Sequence, residues 1–319
     1  YTASGATARV TGTVTMDPKR ALRVNTPVLG GGTTKFEGAI AQGSGVWVNS
    51  GTLEMDDVST LDGKTLTVGA GTFHYTGPTA TTTMKLTTNP NNNNNLASIL
   101  RIDGDLTVAG QFNTVTGGVM KTGPGRLTIS SSGAATTTIG RSGRNTQWNN
   151  TSAAYYWPSN GDSSTIQGIG ALCIDEGEVC LAGPNALFHF SNNGTGLDTF
   201  IGANDRGWGY TTNYAALTVL SGTVRGHWLF LGHTFNHGKD ANGRLIPTYA
   251  VYNQYGGAVT LNALCFCYDL SDYDTACQAT ANLYDGTLTN QGPMRFGQTY
   301  NKTGVNPPHA TVNADGGTH

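Results

Sequence analysis

The sequence predicts an all-β protein that winds as a parallel β-helix, a solenoid of short strands joined by corners. Composition gives the first reason: only 12 % of the 319 residues are charged and 45 are Gly. Chains rich in Gly, Thr, Asn and Ser disfavour helices, because Gly loses backbone entropy and short polar side chains compete for backbone hydrogen bonds. A recurring eight-residue unit gives the second reason, and polar stretches between the units, which are typical of loops, give the third.

The recurring unit has the pattern apolar, x, apolar, x, x, Gly, x, apolar. It occurs at residues 46–53, 66–73, 172–179, 217–224 and 281–288. Alternate residues of a strand face one side and Gly permits positive φ, so each unit predicts a strand, a corner and a second strand. Only Asp285-Gly286 among these units supplies a dipeptide typical of hairpins. We therefore expect corners rather than chain reversals.

The spacing of these units predicts rungs of a solenoid. Together with shorter versions at Leu106 and Leu127, most unit starts are separated by multiples of about 21 residues. We expect a β-solenoid over residues 41–300, an N-terminal strand segment over 1–40 and a C-terminal tail over 301–319. Residues 79–95, 130–162, 232–249 and 269–278 are expected to be inserted loops, since long insertions cost little closure entropy. Antiparallel sandwiches with fortuitous Gly spacing are the alternative.

One segment carries a resemblance to a known family. Residues 118–129, Gly-Val-Met-Lys-Thr-Gly-Pro-Gly-Arg-Leu-Thr-Ile, resemble the G-x-L-x-K-x-G-x-G-x-L-x-L core of secreted bacterial autotransporter-associated β-strand repeat proteins. Residues 252–259 are similar to the Y-x-Q-x-G-G-x-V unit of related repeats. The resemblance implies a right-handed, pectin-lyase-like parallel β-helix that is exported and has no enzymatic activity in its repeats.

Charge and hydropathy argue against nucleic acid as a partner and against a membrane span. The net charge of -2 provides no basic surface for a nucleic-acid backbone. No stretch approaches the ~20 apolar residues that a membrane span needs. Because residue 1 is Tyr rather than Met, we expect a processed, exported chain that is extracellular or on the cell surface.

The cysteines predict local disulfides. Cys173, Cys180, Cys265, Cys267 and Cys277 form two clusters without a C-x-x-C pair, so zinc-ribbon and thioredoxin-like sites lack their ligands. Cys173 with Cys180 is one candidate pair, and Cys277 with Cys265 or Cys267 is the other. Cys265 and Cys267 alternate along one strand, so we expect them on the same face and badly placed to bridge each other.

Two further groups are candidate binding sites. Asp269, Asp272 and Asp274 form the densest acidic group, and three carboxylates in a loop could hold Ca²⁺. No other cofactor is expected. Aromatic residues cluster in two expected loops and predict a protein interface or a glycan-binding surface; they are Trp148, Tyr155, Tyr156, Trp157, Trp208 and Tyr210.

Parallel β-helices also carry polysaccharide lyases and hydrolases, which need converging carboxylates. The candidates are Asp103 with Asp105, and Asp175 with Glu176 and Glu178. We expect these acids to be solvated corner residues, so no catalytic residue is assigned.

The first 15 residues predict an assembly arm, because Val10 and Val14 lie in a Thr-rich segment that could add as a strand to a neighbour. Solenoid ends also leave strand edges that recruit further strands. The sequence thus predicts a non-enzymatic, homo-oligomeric or polymeric extracellular structural protein, a subunit of a surface layer, sheath or filament. A glycan-binding adhesin and a polysaccharide lyase or hydrolase are the alternatives.

Overall fold

The computed structural model describes residues 6–25, 32–89, 97–115, 118–130, 136–139, 172–190, 199–202, 213–232, 248–267, 270–271, 277–297, 299–300 and 309–316. Within these ranges every regular element is a β-strand except one 3-10 turn at Ser59–Leu61. The predicted all-β class is therefore confirmed. No helix in this part of the chain is long and apolar enough to cross a membrane.

Sheet A and sheet B are the two largest sheets, with eleven and eight described strands numbered along the chain. Sheet A contains β1 (Thr7–Val10), β3 (Thr33–Phe36), β5 (Thr52–Met55), β7 (Thr72–Tyr75), β10 (Ala97–Ile102), β13 (Gly118–Thr122), β16 (Leu172–Ile174), β19 (Thr199–Ile201), β22 (Trp228–Leu231), β25 (Ala263–Phe266) and β29 (Met294–Phe296). Sheet B contains β8 (Ala80–Thr82), β11 (Leu106–Val108), β14 (Arg126–Ser130), β17 (Gly177–Ala182), β20 (Asn213–Val219), β23 (Thr248–Gln254), β27 (Cys277–Leu283) and β31 (His309–Ala314).

Two sheets of five described strands each complete the main architecture. Sheet C contains β2 (Ala21–Val24), β4 (Gly45–Val48), β6 (Thr65–Val68), β9 (Lys85–Thr88) and β12 (Phe112–Thr114). Sheet D contains β15 (Thr136–Thr138), β18 (Leu187–His189), β21 (Thr223–Arg225), β24 (Ala258–Leu261) and β28 (Thr287–Asn290). A separate pair joins β26 (Leu270–Ser271) to β30 (Thr299–Tyr300).

All pairings between the described strands are parallel, and strands that follow each other along the chain lie in different sheets. For example, β13, β14 and β15 lie in sheets A, B and D, and β16, β17 and β18 pair with them in the same order. Antiparallel sandwiches are therefore excluded for this part of the chain. The chain visits the sheets repeatedly in one order, which is compatible with a solenoid.

The eight-residue units are strand, corner and strand, as predicted. Four of their glycines, Gly51, Gly177, Gly222 and Gly286, have positive φ. The units do not all occupy the same position in a pass. They join sheet C to A at β4–β5 and β6–β7, sheet A to B at β16–β17, and sheet B to D at β20–β21 and β27–β28.

The chain length of one pass is not constant. Thr52 pairs with Thr72, whereas Val119 pairs with Leu172. These separations of 20 and 53 residues show that strand register, not a fixed repeat length, aligns successive passes. The hydrophobic core lies between the sheets, where side chains such as Leu53 are fully buried.

Several segments differ from the sequence expectation. Residues 80–82 and 85–88, expected in a loop, are β8 and β9, because Thr82, Leu86 and Thr88 bury core-facing side chains. Strands β15 and β26 likewise lie within expected loops. The expected N-terminal segment and C-terminal tail contribute β1 and β31 to sheets A and B.

Candidate functional site

The calcium and aromatic predictions concern residues outside the described ranges. Asp269, Asp272 and Asp274 lie there, as do all the aromatic candidates, which are Trp148, Tyr155, Tyr156, Trp157, Trp208 and Tyr210. Among the residues that the structure describes, no group of three or more His, Cys, Asp or Glu side chains could hold a metal ion.

The structure brings Cys267 and Cys277 together. Their Sγ atoms are 3.0 Å apart, and both side chains are buried in the main core. The sequence left Cys265 and Cys267 as alternative partners for Cys277, and the structure places Cys267 beside it. Both cysteines are in the thiol form.

The expectation that Cys265 and Cys267 share a face is wrong. Cys265 lies in a second buried cluster with Met120 and Phe230, whereas Cys267 packs in the main core. Strand β25 ends at Phe266, and Cys267 has a φ of 47°. Because this left-handed backbone breaks the two-residue alternation of a strand, the Cys267 side chain turns inward.

The other candidate pair lies on two different sheets. Cys173 is in β16 of sheet A and packs in the second buried cluster. Cys180 is in β17 of sheet B, where burial raises the pKa of its thiol to about 11. Both are thiols in the structure.

The acidic residues at the corners form ion pairs. Asp103 Oδ2 lies 2.7 Å from His74 Nε2, and Glu178 Oε2 lies 2.6 Å from Arg126 Nε. Burial raises the pKa of Asp103, but bonds to His74 and Arg101 outweigh it and lower the pKa overall. Arg101, whose Nε lies 3.1 Å from Asp103 Oδ1, and Arg126 thereby offset the charges of Asp103 and Glu178.

The most unusual polar group is Lys121, to which the sequence gave no role beyond its place in the 118–129 motif. It lies in β13, pairs with Leu100 and Ile174, and is fully buried. Its ammonium donates to the carbonyl oxygens of Gly123, Gly125 and Glu176. All three donors of the ammonium are thereby satisfied.

Burial dominates the electrostatics of Lys121. Desolvation lowers its pKa to about 7, against the carboxylates of Glu176, Asp103, Asp175 and Glu178, which raise it. A neutral amine has only two N–H groups, so deprotonation leaves one of the three carbonyl groups without its bond. Because the Lys121 side chain is fully buried, its ammonium joins the backbone of the two corners that surround it.

The predicted assembly arm is part of its own chain's fold. Val10 ends β1, which pairs with β3, and Val14 forms a parallel bridge with Ile40. Both valines pack against the core. The arm therefore pairs within its own chain over the described residues, and the other edge of β1 pairs with no described strand.

At the opposite end, the last described strands leave core-facing side chains exposed. Phe296 is 54 % exposed, although its partner Phe266, one pass earlier, is fully buried. The two rings stack with centroids 4.8 Å apart. Met294 and Val312 are 44 % and 40 % exposed, whereas the residues with which they pair one pass earlier, Leu264 and Ala281, are buried. Strands β29 and β31 each have one edge that pairs with no other described strand.

No known protein family matches the chain, and no curated protein or solved structure matches it either.

Proposed function

We propose that the protein is a non-enzymatic structural subunit, a right-handed parallel β-helix whose copies stack end to end in an extracellular layer, sheath or filament. Support for the helix comes from the repeated return of the chain to sheet A, followed by sheet C in the first passes and by sheet B and then C or D from β7 to β25. Crossover connections between parallel strands are right-handed in about 98 % of cases. The resemblance of residues 118–129 to autotransporter-associated repeats agrees with this handedness.

The observation that carries the proposal is the exposure of Phe296. Phe296 is the last described member of an inward-facing column, a row of residues that pair from one strand of sheet A to the next. Earlier members of this column, such as Leu231 and Phe266, are fully buried. Because these Phe, Met and Val side chains are about half exposed, each forgoes about half of the roughly 1.5–3 kcal/mol that full burial provides. A second copy that covers these side chains recovers that free energy.

The other end of the same column supplies a complementary surface. The column begins at Ala8, which pairs with Thr34, and ends at Phe296. In a head-to-tail contact, the small Ala8 side chain of one copy would leave room for the Phe296 ring of the next copy. Strands β1 and β29 are the two edges of sheet A, so a head-to-tail contact continues its parallel ladder. Head-to-tail contacts that do not close into a ring make fibres.

A ladder of asparagine side chains on the outer face of sheet B also supports end-to-end assembly. Asn282 Nδ2 donates to Asn253 Oδ1 at 2.8 Å, and Asn313 Nδ2 donates to Asn282 Oδ1 at 2.7 Å. The ladder runs to β31, the last strand of the sheet. Stacked amides of this kind stabilise assemblies of in-register strands, and Asn313 keeps the pattern at the edge.

The test compares Phe296→Glu with a matched control. Leu220→Glu places the same charge on a side chain that is 45 % exposed but lies at the corner between β20 and β21. We expect wild type and Leu220→Glu to form rods in electron micrographs, with mass rising with concentration in sedimentation velocity. Phe296→Glu should remain monomeric. A monomeric wild type up to its solubility limit, or equal assembly of Phe296→Glu, overturns the proposal.

The extracellular location rests on two observations. The chain is poor in charge, and the Cys267 and Cys277 sulfur atoms lie close together, a feature useful in an oxidising compartment. The enzymatic alternative has less support, since the described corner acids Asp103 and Glu178 are held in ion pairs.

A further inference from the structure

An open groove of about 500 Å³ lies along the outer face of sheet C. Arg23, Trp47 and Thr67 pair across β2, β4 and β6 and alternate with the buried residues of those strands, so they face outward. Lys19 and Arg20, at the start of β2, complete the wall. The sequence did not single out these residues, because nothing local reveals that Arg23 and Trp47 are neighbours.

Gly45 lies in the wall of the groove, between Ala21 and Thr65. A Cβ at this position would collide with the Thr65 carbonyl oxygen, and its φ is 147°. Glycine is therefore required here, because the Thr65 backbone occupies the space that a side chain would need and packs closely against β4.

The groove is positively charged in a protein of net charge -2. Lys19, Arg20 and Arg23 are exposed, and no carboxylate in the described chain forms an ion pair with any of them. The nearest acid in sequence, Asp17, accepts a hydrogen bond from the Lys19 backbone N–H at 2.8 Å. Three cations with one nearby carboxylate leave a local excess of positive charge.

Arg23 is also held in place. Its guanidinium carbon lies 5.2 Å from the centroid of the Trp47 ring. This cation–π contact orders a flexible side chain, while its N–H groups stay available to an anion. The surrounding wall adds the hydroxyl groups of Ser44, Thr65 and Thr67.

We infer that this groove binds an anionic saccharide, a chain that carries carboxylate or sulfate groups. Arg23 and its neighbouring cations suit the anionic groups, the indole suits the apolar C–H face of a sugar ring, and the hydroxyl groups suit its OH groups. Nucleic acid is a poorer fit, because three cations provide few of the phosphate contacts on which such binding depends. The groove lies on the outer face of sheet C rather than on its edge, although β2 is the edge strand of that sheet and follows β1 along the chain.

The test uses calorimetry on the full chain with two matched hexasaccharides, β-1,4-mannuronate and neutral β-1,4-mannohexaose. We expect the charged hexamer to bind at least tenfold more tightly. Arg23→Gln and Trp47→Leu should each weaken its binding about five- to tenfold. Arg225→Gln, which removes an exposed cation from sheet D, should leave binding unchanged.

Melting curves identify variants that bind poorly because they fold poorly, and Arg20→Gln, in the loop before β2, then replaces the affected variant. Failure of both hexamers to bind overturns the inference, as does wild-type affinity in Arg23→Gln and Arg20→Gln. Equal binding of a single-stranded DNA hexamer also overturns it, because it reveals general polyanion attraction. Binding is measured on Phe296→Glu as well, so loss of assembly and loss of the saccharide site are separate results.

Discussion

At the scale of single residues, Lys121 is the clearest departure from the rule that lysines stay in water. Its ammonium is buried and held by three carbonyl oxygens. Charge burial is costly unless every donor is satisfied. The glycines at 123, 125 and 177 allow backbone to approach closely enough to satisfy them.

Lys121 predicts a pH dependence of stability. Its folded pKa is about 7, below the 10.5 of an unperturbed lysine. Between these values the unfolded chain binds a proton that the folded chain has released, so the free energy of unfolding rises with pH, by up to about 1.4 kcal/mol per unit. It levels off above 10.5.

Urea unfolding across this pH range measures the effect. Lys121→Met should lack this component of the rise, and the exposed control Lys85→Met should retain it. Identical pH profiles for wild type and Lys121→Met would show that the buried amine keeps an ordinary pKa.

The second prediction at this scale is a disulfide between Cys267 and Cys277. Exchange with oxidised glutathione joins the two sulfur atoms, and the glutathione disulfide is reduced to two thiols. The bond should stabilise the fold by roughly 2–3 kcal/mol through closure of a short loop. Mass spectrometry should find the linked peptides and a loss of two hydrogens.

Cys180→Ser serves as the control and should still form this bond, whereas Cys277→Ser should not. A peptide map in which Cys277 is joined to Cys265 would contradict the prediction.

At the scale of elements, the corner between β16 and β17 depends on Gly177. Its φ is 74°, and a Cβ there would collide with Lys121 Nζ and the Gly123 carbonyl oxygen. Gly177→Ala should therefore lower the free energy of unfolding by at least about 2 kcal/mol, since it adds a steric clash to the usual cost of left-handed backbone.

Gly63→Ala is the matched control for this substitution. Gly63 has a φ of 68°, but nothing lies within 4 Å of its Cβ position. We expect Gly63→Ala to lower the free energy of unfolding only by the cost of left-handed backbone, about 1–2 kcal/mol. If chemical denaturation shows equal decreases in the free energy of unfolding for both variants, the close packing of Gly177 against Lys121 does not constrain the corner.

At the scale of the whole molecule, the main question is what packs against the two edge strands of sheet A. Phe296, Met294 and Val312 are partly exposed, and β1 and β29 are the edge strands of this sheet among the described residues. In the proposed polymer, each subunit would carry one copy of the proposed saccharide groove on sheet C.

The sequence by itself determined the strands and corners of the eight-residue units, but it assigned β8 and β9 to a loop. Alternation in Val46-Trp47-Val48 and the glycine at position 51 are local signals, because the pleat has a period of two and positive φ favours glycine. These signals do not say which sheet a strand joins. Units of one pattern therefore appear at three different corners, and the expected period of about 21 residues holds for the pairing of β11 with β14 but not for that of β13 with β16.

Only the tertiary structure decided the sites. Lys121 bonds to Glu176, Cys267 lies beside Cys277, and Arg23 stacks on Trp47. Each pair joins residues from separate strands or corners, and the pairing depends on parallel register between passes of unequal length. That register is set by which apolar faces bury together across the sheets, a property of the packed chain that no local stretch of sequence contains.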